Sequence, residues 1–152
     1  MKRVVVDSSV LLASLFKDGT VRDVLMTAED ALFVAPAYVQ SEVERHFSDI
    51  SARSGIPPET VRAVLTDVLS FVELAPLVVY QSSMAEARDL CRRAHASGDE
   101  DFVALALALG APIWTLDRDF GRISGLQVLD TARARSVLEA AQRTERRRRS
   151  KL

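Results

Sequence analysis

The sequence is poor in cysteine, in long apolar stretches and in excess charge of either sign. Cys91 is its only cysteine, which excludes an internal disulfide and a zinc site made of several cysteines. No apolar run approaches the ~18–20 residues that span a bilayer, and Asp7 interrupts the apolar start too early for a signal peptide. The net charge of −1 excludes a strongly basic nucleic-acid coat protein. We therefore expect a cytoplasmic protein.

The composition that is present is typical of one globular domain. The chain has 152 residues, 48% of them hydrophobic and 27% charged, which is enough to bury a core without disulfides or structural metals. Short apolar runs, such as the three valines at 4–6, alternate with segments whose apolar residues recur every three or four positions. This alternation predicts a single three-layer α/β domain, with a mainly parallel central sheet of four to five strands flanked by helices.

Some local elements follow from the same patterns. Apolar residues at 39, 43, 47 and 50 share one helical face, which predicts one helix over residues 37–52. Residues 76–80 (PLVVY) predict an extended connection. Cys91 and Trp114 lie within apolar surroundings, and we expect both to pack in the core.

Acidic residues stand where such a sheet would have its binding site. Asp7 ends the first predicted strand, Asp117 ends the fourth, and Asp119 lies two residues further on. Asp99 begins the helix that leads into the fourth strand, and Glu42 borders the apolar face of the helix after the second strand. Because ligands of open α/β sheets bind beyond the carboxyl ends of the strands, we predict that these carboxylates meet in one pocket.

A pocket of carboxylates is typical of a site for a hard divalent cation. Carboxylates that share a pocket repel each other and raise each other's pKa. Mg²⁺ and Mn²⁺ prefer oxygen ligands, and such ions generate a hydroxide nucleophile and stabilise phosphoryl transfer. Each acid alone also has a purely structural explanation, since Asp7 and Asp99 can be helix N-caps and Glu42 a solvated helix charge. The combination favours a metal site that acts on phosphodiesters.

Four blocks of sequence carry a family resemblance. They are residues 4–12 (VVVDSSVLL), 36–43 (PAYVQSEV), 98–106 (GDEDFVALA) and 113–120 (IWTLDRDF). In this order and at this spacing they resemble the PIN-domain nuclease family, which includes the VapC-type ribonuclease toxins of toxin–antitoxin pairs. The resemblance extends over residues 3–130 and implies a PIN-like fold.

The resemblance also implies an activity and a set of site residues. It implies cleavage of single-stranded or structured RNA that depends on Mg²⁺ or Mn²⁺, with catalytic and metal-binding roles for Asp7, Glu42 and Asp117. Thr115 would be a supporting hydroxyl and Asp119 a further acid that members commonly carry. It further implies a small antitoxin protein as partner and a homodimer.

The remaining acid of the family pattern has two candidates. Counting back from the apolar helix that stops at Gly110 places Asp99 on the family position, and Asp99 is our first choice as catalytic and metal-binding residue. Asp101 is the second choice, because a residue two positions along a helix faces almost the opposite way.

Other interpretations stay open. The chain is alternatively a housekeeping or orphan PIN nuclease in RNA processing, or a non-catalytic RNA-binding or assembly module. A phosphoacceptor domain resembling response-regulator receivers would need a lysine after the last strand, whereas lysine occurs only at positions 2, 17 and 151. A haloacid-dehalogenase-like phosphatase would need Asp-x-Asp where this chain has Asp7, Ser8 and Ser9.

The near-zero net charge is unevenly distributed. Residues 1–142, the predicted nuclease domain, carry 14 basic and 20 acidic residues, a net charge of −6. Residues 143–152 carry six basic residues and one acidic residue, a net charge of +5, and we predict a disordered basic tail. Three roles of this tail stay open: it adds salt-sensitive RNA affinity, it docks on an acidic partner, or it only increases solubility. Arg45, Arg118 and Arg122 flank the predicted pocket, as phosphate contacts or as solvated surface residues.

Overall fold

A computed structural model describes residues 1–16 and 19–151. Lys17, one of the three lysines considered above, and Leu152, the end of the predicted tail, lie outside the described residues. No helix within the described ranges is long and apolar enough to cross a membrane.

Five parallel strands form one central sheet. They are β1 (Lys2–Val6), β2 (Ala31–Pro36), β3 (Val72–Ala75), β4 (Ile113–Trp114) and β5 (Val128–Leu129). Their order across the sheet is β3-β2-β1-β4-β5, and every neighbouring pair is parallel. The first three strands thus build outward from β1, and the chain then returns to place β4 on the other side of β1. The boundary between β1 and β4 is therefore the point where the winding direction reverses, and such a point leaves a crevice at the carboxyl ends of the strands.

Helices flank this sheet, so the predicted three-layer α/β class is confirmed. The α-helices are α1 (Ser8–Ser14), α2 (Thr20–Thr27), α3 (Val39–Glu44), α4 (Phe47–Ser54), α5 (Pro58–Leu69), α6 (Leu77–Tyr80), α7 (Met84–Ala94), α8 (Glu100–Leu109) and α9 (Thr131–Arg149). Two 3₁₀ segments, Gln81–Ser83 and Arg118–Arg122, complete the described elements.

The core is built from β-branched strand residues and the apolar helix α8. The three valines of β1 are fully buried, as expected for a strand covered on both faces. Helix α8 ends at Gly110, whose positive φ of 58° suits a residue without a side chain. Trp114 is fully buried against Phe33, and its indole N–H donates to the Thr131 hydroxyl at 3.2 Å. The predicted core positions of Trp114 and Cys91 are both confirmed.

Two local predictions were wrong. The segment predicted as one helix over residues 37–52 forms α3 and α4, because the His46 N–H bonds to the Val43 carbonyl three residues back and tightens the chain there. The segment 76–80, predicted to be extended, contains the short helix α6, which turns the Tyr80 side chain into the core at 3% exposure.

The basic segment also differs from its predicted state. Residues 143–149 continue helix α9 instead of being disordered. Arginine is a good helix former, and cations near a helix C-terminus are favoured by the helix dipole. Arg146 and Arg149 additionally lie 3.8 and 3.9 Å from Glu29 and Asp30, although these exposed pairs contribute little.

Candidate active site

Asp7 and Asp117 lie on the two sides of the crevice between β1 and β4. Asp7 directly follows β1, and its backbone N–H donates to the Trp114 carbonyl at the end of β4 at 3.3 Å. Asp117 follows β4 by three residues. The topology thus places these two predicted acids at the position where an open α/β sheet binds its ligand.

Hydrogen bonds hold the Asp7 carboxylate in one orientation. Its Oδ1 accepts the Ser9 hydroxyl at 2.6 Å and the Val10 N–H at 3.2 Å, so Asp7 does cap α1. Its Oδ2 accepts the Thr115 hydroxyl at 2.6 Å across the crevice. Desolvation raises the pKa of Asp7, which is 3% exposed, while the hydrogen bonds from Ser9, Thr115 and Val10 oppose that rise.

The Thr115 hydroxyl links the two acids. While it donates to Asp7, it accepts the backbone N–H of Asp117 at 2.9 Å. Ser9 makes a parallel link, because its Oγ accepts the Leu116 N–H at 3.0 Å. The loop after β4 is thereby fixed to the start of α1 by two hydroxyl groups.

Asp99 faces the same crevice from the start of α8. It occupies the N-cap position, yet its side chain makes no capping hydrogen bond, so capping does not explain an acid there. Burial, followed by the charges of Asp117 and Asp7, raises the pKa of Asp99 to about 7, and Glu42 adds to the effect. This acid therefore shares an electrostatic environment with the other three.

Asp101 has different neighbours. Desolvation and then Glu100 raise its pKa, and Arg88 lowers it. Arg88 lies on α7, and neither Asp7 nor Asp117 is among the groups that affect the pKa of Asp101. Asp99 is thus coupled to Asp7 and Asp117, whereas Asp101 acts on Glu42, and the choice between the two candidates stays a prediction.

Glu42 approaches the site from α3 with one oxygen unpaired. Desolvation raises the pKa of Glu42, Arg45 and His46 lower it, and Asp7 and Asp101 raise it further. Its Oε2 is buried and has no hydrogen-bond partner among the described residues. A buried polar atom without a partner costs about 1–3 kcal/mol, so Glu42 Oε2 is an oxygen available to a ligand.

The Asp119 carboxylate forms an ion pair outside this group. Its carboxylate pairs with Arg122 at 3.1 Å, and its side chain is 46% exposed. Its backbone N–H, in contrast, donates to Asp117 Oδ1 at 2.9 Å and helps to orient that acid.

Tyr38 and Tyr80 border the acids and were not predicted as site residues. Burial raises the pKa of Tyr38, and Glu42 and Asp101 raise it further. The pKa of Tyr80 is also raised by burial and by Asp101. Tyr38 stands four positions before Glu42, and this helical spacing was the signal available in the sequence.

The acids fit a divalent cation by their chemistry. The donors are carboxylate oxygens, which Mg²⁺ and Mn²⁺ prefer, Glu42 Oε2 has no partner among the described residues, and burial followed by neighbouring charges raises the pKa of Asp99. Within the described ranges, no three His, Cys, Asp or Glu side chains are arranged so that they could hold a metal ion as they stand.

Comparisons with known proteins agree with this fold. A VapBC2 structure from Rickettsia felis, bound to a DNA fragment from its promoter, superposes with a TM-score of 0.65 at 16% identity, covering 84% of this chain and 98% of that chain. A DNA-bound VapBC structure from Salmonella typhimurium superposes with a TM-score of 0.66 at 18% identity, covering 86% of this chain and 99% of that chain. The structure of PAE2754 from Pyrobaculum aerophilum superposes with a TM-score of 0.66 at 15% identity, covering 91% of this chain and 90% of that chain.

The family is shown by sequence. A search of curated proteins gives no significant match. The family model of the PIN domain, in contrast, matches residues 5–143, which is most of the chain and includes every crevice acid described above. The chain belongs to the PIN-domain family.

Proposed function

We propose that this protein is an endoribonuclease that depends on Mg²⁺ or Mn²⁺. The observation that carries the proposal is that Asp7 and Asp117 lie on the two sides of the crevice and are linked through Thr115, while the charges of Asp117, Asp7 and Glu42 act on Asp99. Membership of the PIN-domain family supports it. In this proposal residues 1–142 form the nuclease body and residues 143–152 a basic appendage.

The crevice residues have distinct tasks in the proposed reaction. Asp7, Asp99 and Asp117 would hold the cation, with Glu42 bound directly or through water. A cation bound there would supply a water of lowered pKa as nucleophile and a positive charge beside the scissile phosphate. Thr115 and Ser9 keep the Asp7 carboxylate aimed into the crevice through their hydrogen bonds. Asp119 and Asp101 are further acids that lie at the margin of this group.

The experiment that tests the proposal is cleavage of a single-stranded RNA by the purified full-length protein with Mn²⁺ or Mg²⁺. The Asp7→Asn variant should lose activity by a factor of at least about 100, because it removes a charged ligand. Asparagine is as good an N-cap as aspartate, so this variant keeps the start of α1. Asp67→Asn, at an exposed position of α5, is the matched control and should cleave like the wild type.

Two results would reject the proposal. Equal cleavage by wild type and Asp7→Asn would identify a contaminating nuclease. No cleavage together with no Mn²⁺ binding in calorimetry would favour the non-catalytic RNA-binding or assembly module.

We further propose that the nuclease is the toxin of a toxin–antitoxin pair and forms a homodimer in the cytoplasm. The superposition on VapBC structures supports this assignment. A neighbouring reading frame for a small DNA-binding protein, and growth arrest on expression that this protein relieves, are the expected results. An isolated gene whose expression is harmless would favour the orphan RNA-processing nuclease instead.

A further inference from the structure

A second cavity opens directly beside the acidic crevice. It has a volume of about 460 Å³, within the range of ligand pockets. It lies between the loop after β4 and the first turn of α9, and it shares Thr115 and Asp117 with the crevice. Arg118 and Arg133 stand on its two walls, and we call it the Arg118–Arg133 groove.

The two arginines of the groove are available to a ligand. Both are exposed, and neither forms an ion pair with any described residue. The carboxylates in the groove are already engaged with backbone groups: Asp117 accepts the Asp119 N–H, and Asp130 accepts the Arg133 N–H at 2.8 Å. The groove therefore holds two arginines and two aspartates, and neither guanidinium group is paired with a carboxylate of the described residues.

A nuclease with an acidic centre needs such cations nearby. The body of the chain carries a net charge of −6 over residues 1–142, and its catalytic carboxylates repel a polyanion. Arginine binds phosphate oxygens through two parallel N–H groups and remains charged at any relevant pH. The exposed Leu116 side chain, at 45% exposure, adds an apolar surface at the rim.

We propose that the Arg118–Arg133 groove holds the RNA strand next to the cleavage centre, with each arginine bound to a phosphate that flanks the scissile one. This inference rests on the proposed function, because the groove is continuous with the crevice through Thr115 and Asp117. The same continuity favours a nucleic-acid strand over an acidic peptide as occupant. The groove fixes the direction in which the strand leaves the crevice, toward β5 and α9.

The test measures RNA binding separately from cleavage. A fluorescent single-stranded 12-nucleotide RNA is titrated in the Asp7→Asn background, with anisotropy as readout at several salt concentrations. Arg118→Gln and Arg133→Gln should each weaken binding about threefold to tenfold and lower the salt slope by about 0.7, the value for one phosphate contact on a single strand. Arg135→Gln is the matched control, because it removes the same charge two residues along α9 and lines a different cavity.

Cleavage kinetics complete the test in proteins that retain Asp7. The groove variants should raise KM more than they lower kcat, because the flanking phosphates bind equally in the ground and transition states. If the wild type cleaves RNA while Arg118→Gln and Arg133→Gln bind RNA like Arg135→Gln, the groove inference is wrong and the nuclease proposal stands. If the wild type neither binds nor cleaves RNA, both proposals fall. Loss of antitoxin binding with unchanged RNA binding would also overturn the groove inference.

Discussion

Asp99 carries a charge that the metal-free fold accommodates poorly, so Asp99→Asn should stabilise the metal-free protein at alkaline pH. Burial and the charges of Asp117 and Asp7 raise the pKa of Asp99 from 3.8 to about 7. Between these two values the folded protein holds a proton that the unfolded chain releases, so stability falls as pH rises. Above pH 7 the charged Asp99 carboxylate destabilises the fold to its full extent, and below pH 3.8 this destabilisation vanishes.

The magnitude follows from the same pKa values. One pKa unit corresponds to about 1.4 kcal/mol, which sets an upper limit of about 4 kcal/mol for Asp99. Its side chain is partly exposed, and solvent screening reduces the expected gain to about 1–2 kcal/mol at pH 8. At pH 5 the gain should be less than half as large, because most of the penalty develops at higher pH.

Urea unfolding in EDTA at pH 5 and pH 8 measures this effect. Asp67→Asn is the control, since it removes an exposed carboxylate far from the acids and should leave the pH dependence unchanged. An Asp99→Asn protein that is no more stable than wild type at pH 8, or equally stabilised at both pH values, would refute the reasoning. Added Mn²⁺ should reverse the order, because it stabilises only a fold that binds it, by about 2.7 kcal/mol at 100 times its Kd.

The remaining predictions concern single contacts. Thr115→Val should cost about 1–3 kcal/mol in urea unfolding by leaving buried polar groups unpaired, and Thr115→Ser should restore most of it. Trp114→Phe should cost about 1–3 kcal/mol in the same assay, by lost volume and the lost bond to Thr131; a change below 0.5 kcal/mol would contradict the packing described. Glu42→Gln should weaken Mn²⁺ binding about 10-fold or more in calorimetry, as loss of a charged ligand would; unchanged affinity would remove Glu42 from the site. Deleting residues 143–152 should leave the unfolding midpoint nearly unchanged, since the buried residues of α9 lie earlier; the same deletion should lower the salt slope of RNA binding if the appendage contacts RNA.

The sheet and the positions of the acids at its edge could be predicted because they depend on simple periodicity. Runs of buried β-branched residues mark strands, and the carboxyl ends of parallel strands meet at one edge. Asp7 and Asp117 therefore could be placed from sequence alone. The choice of Asp99 over Asp101 followed from the family spacing and the helical angle between them, and it stays a prediction.

Tertiary contacts decided the elements that the sequence could not predict. The apolar spacing at 39, 43, 47 and 50 is the same for one helix or for two in succession, so it carried no sign of the tight turn at His46. Two valines favour an extended chain only weakly, and burial of Tyr80 overrides that preference. The unpartnered oxygen of Glu42 and the groove arginine Arg133 depend on which surfaces meet, which no local pattern encodes.

Helix α9 sets a distance scale for substrates. It begins beside the Arg118–Arg133 groove and ends next to Met1 and Asp30, which directly precede the amino ends of β1 and β2. Its 19 residues span about 28 Å, roughly the length of eight stacked nucleotides. The arginines at its end therefore cannot touch a short oligonucleotide that is held in the crevice. If the protein cleaves RNA as proposed, any contribution of these arginines to binding appears only above a threshold of RNA length.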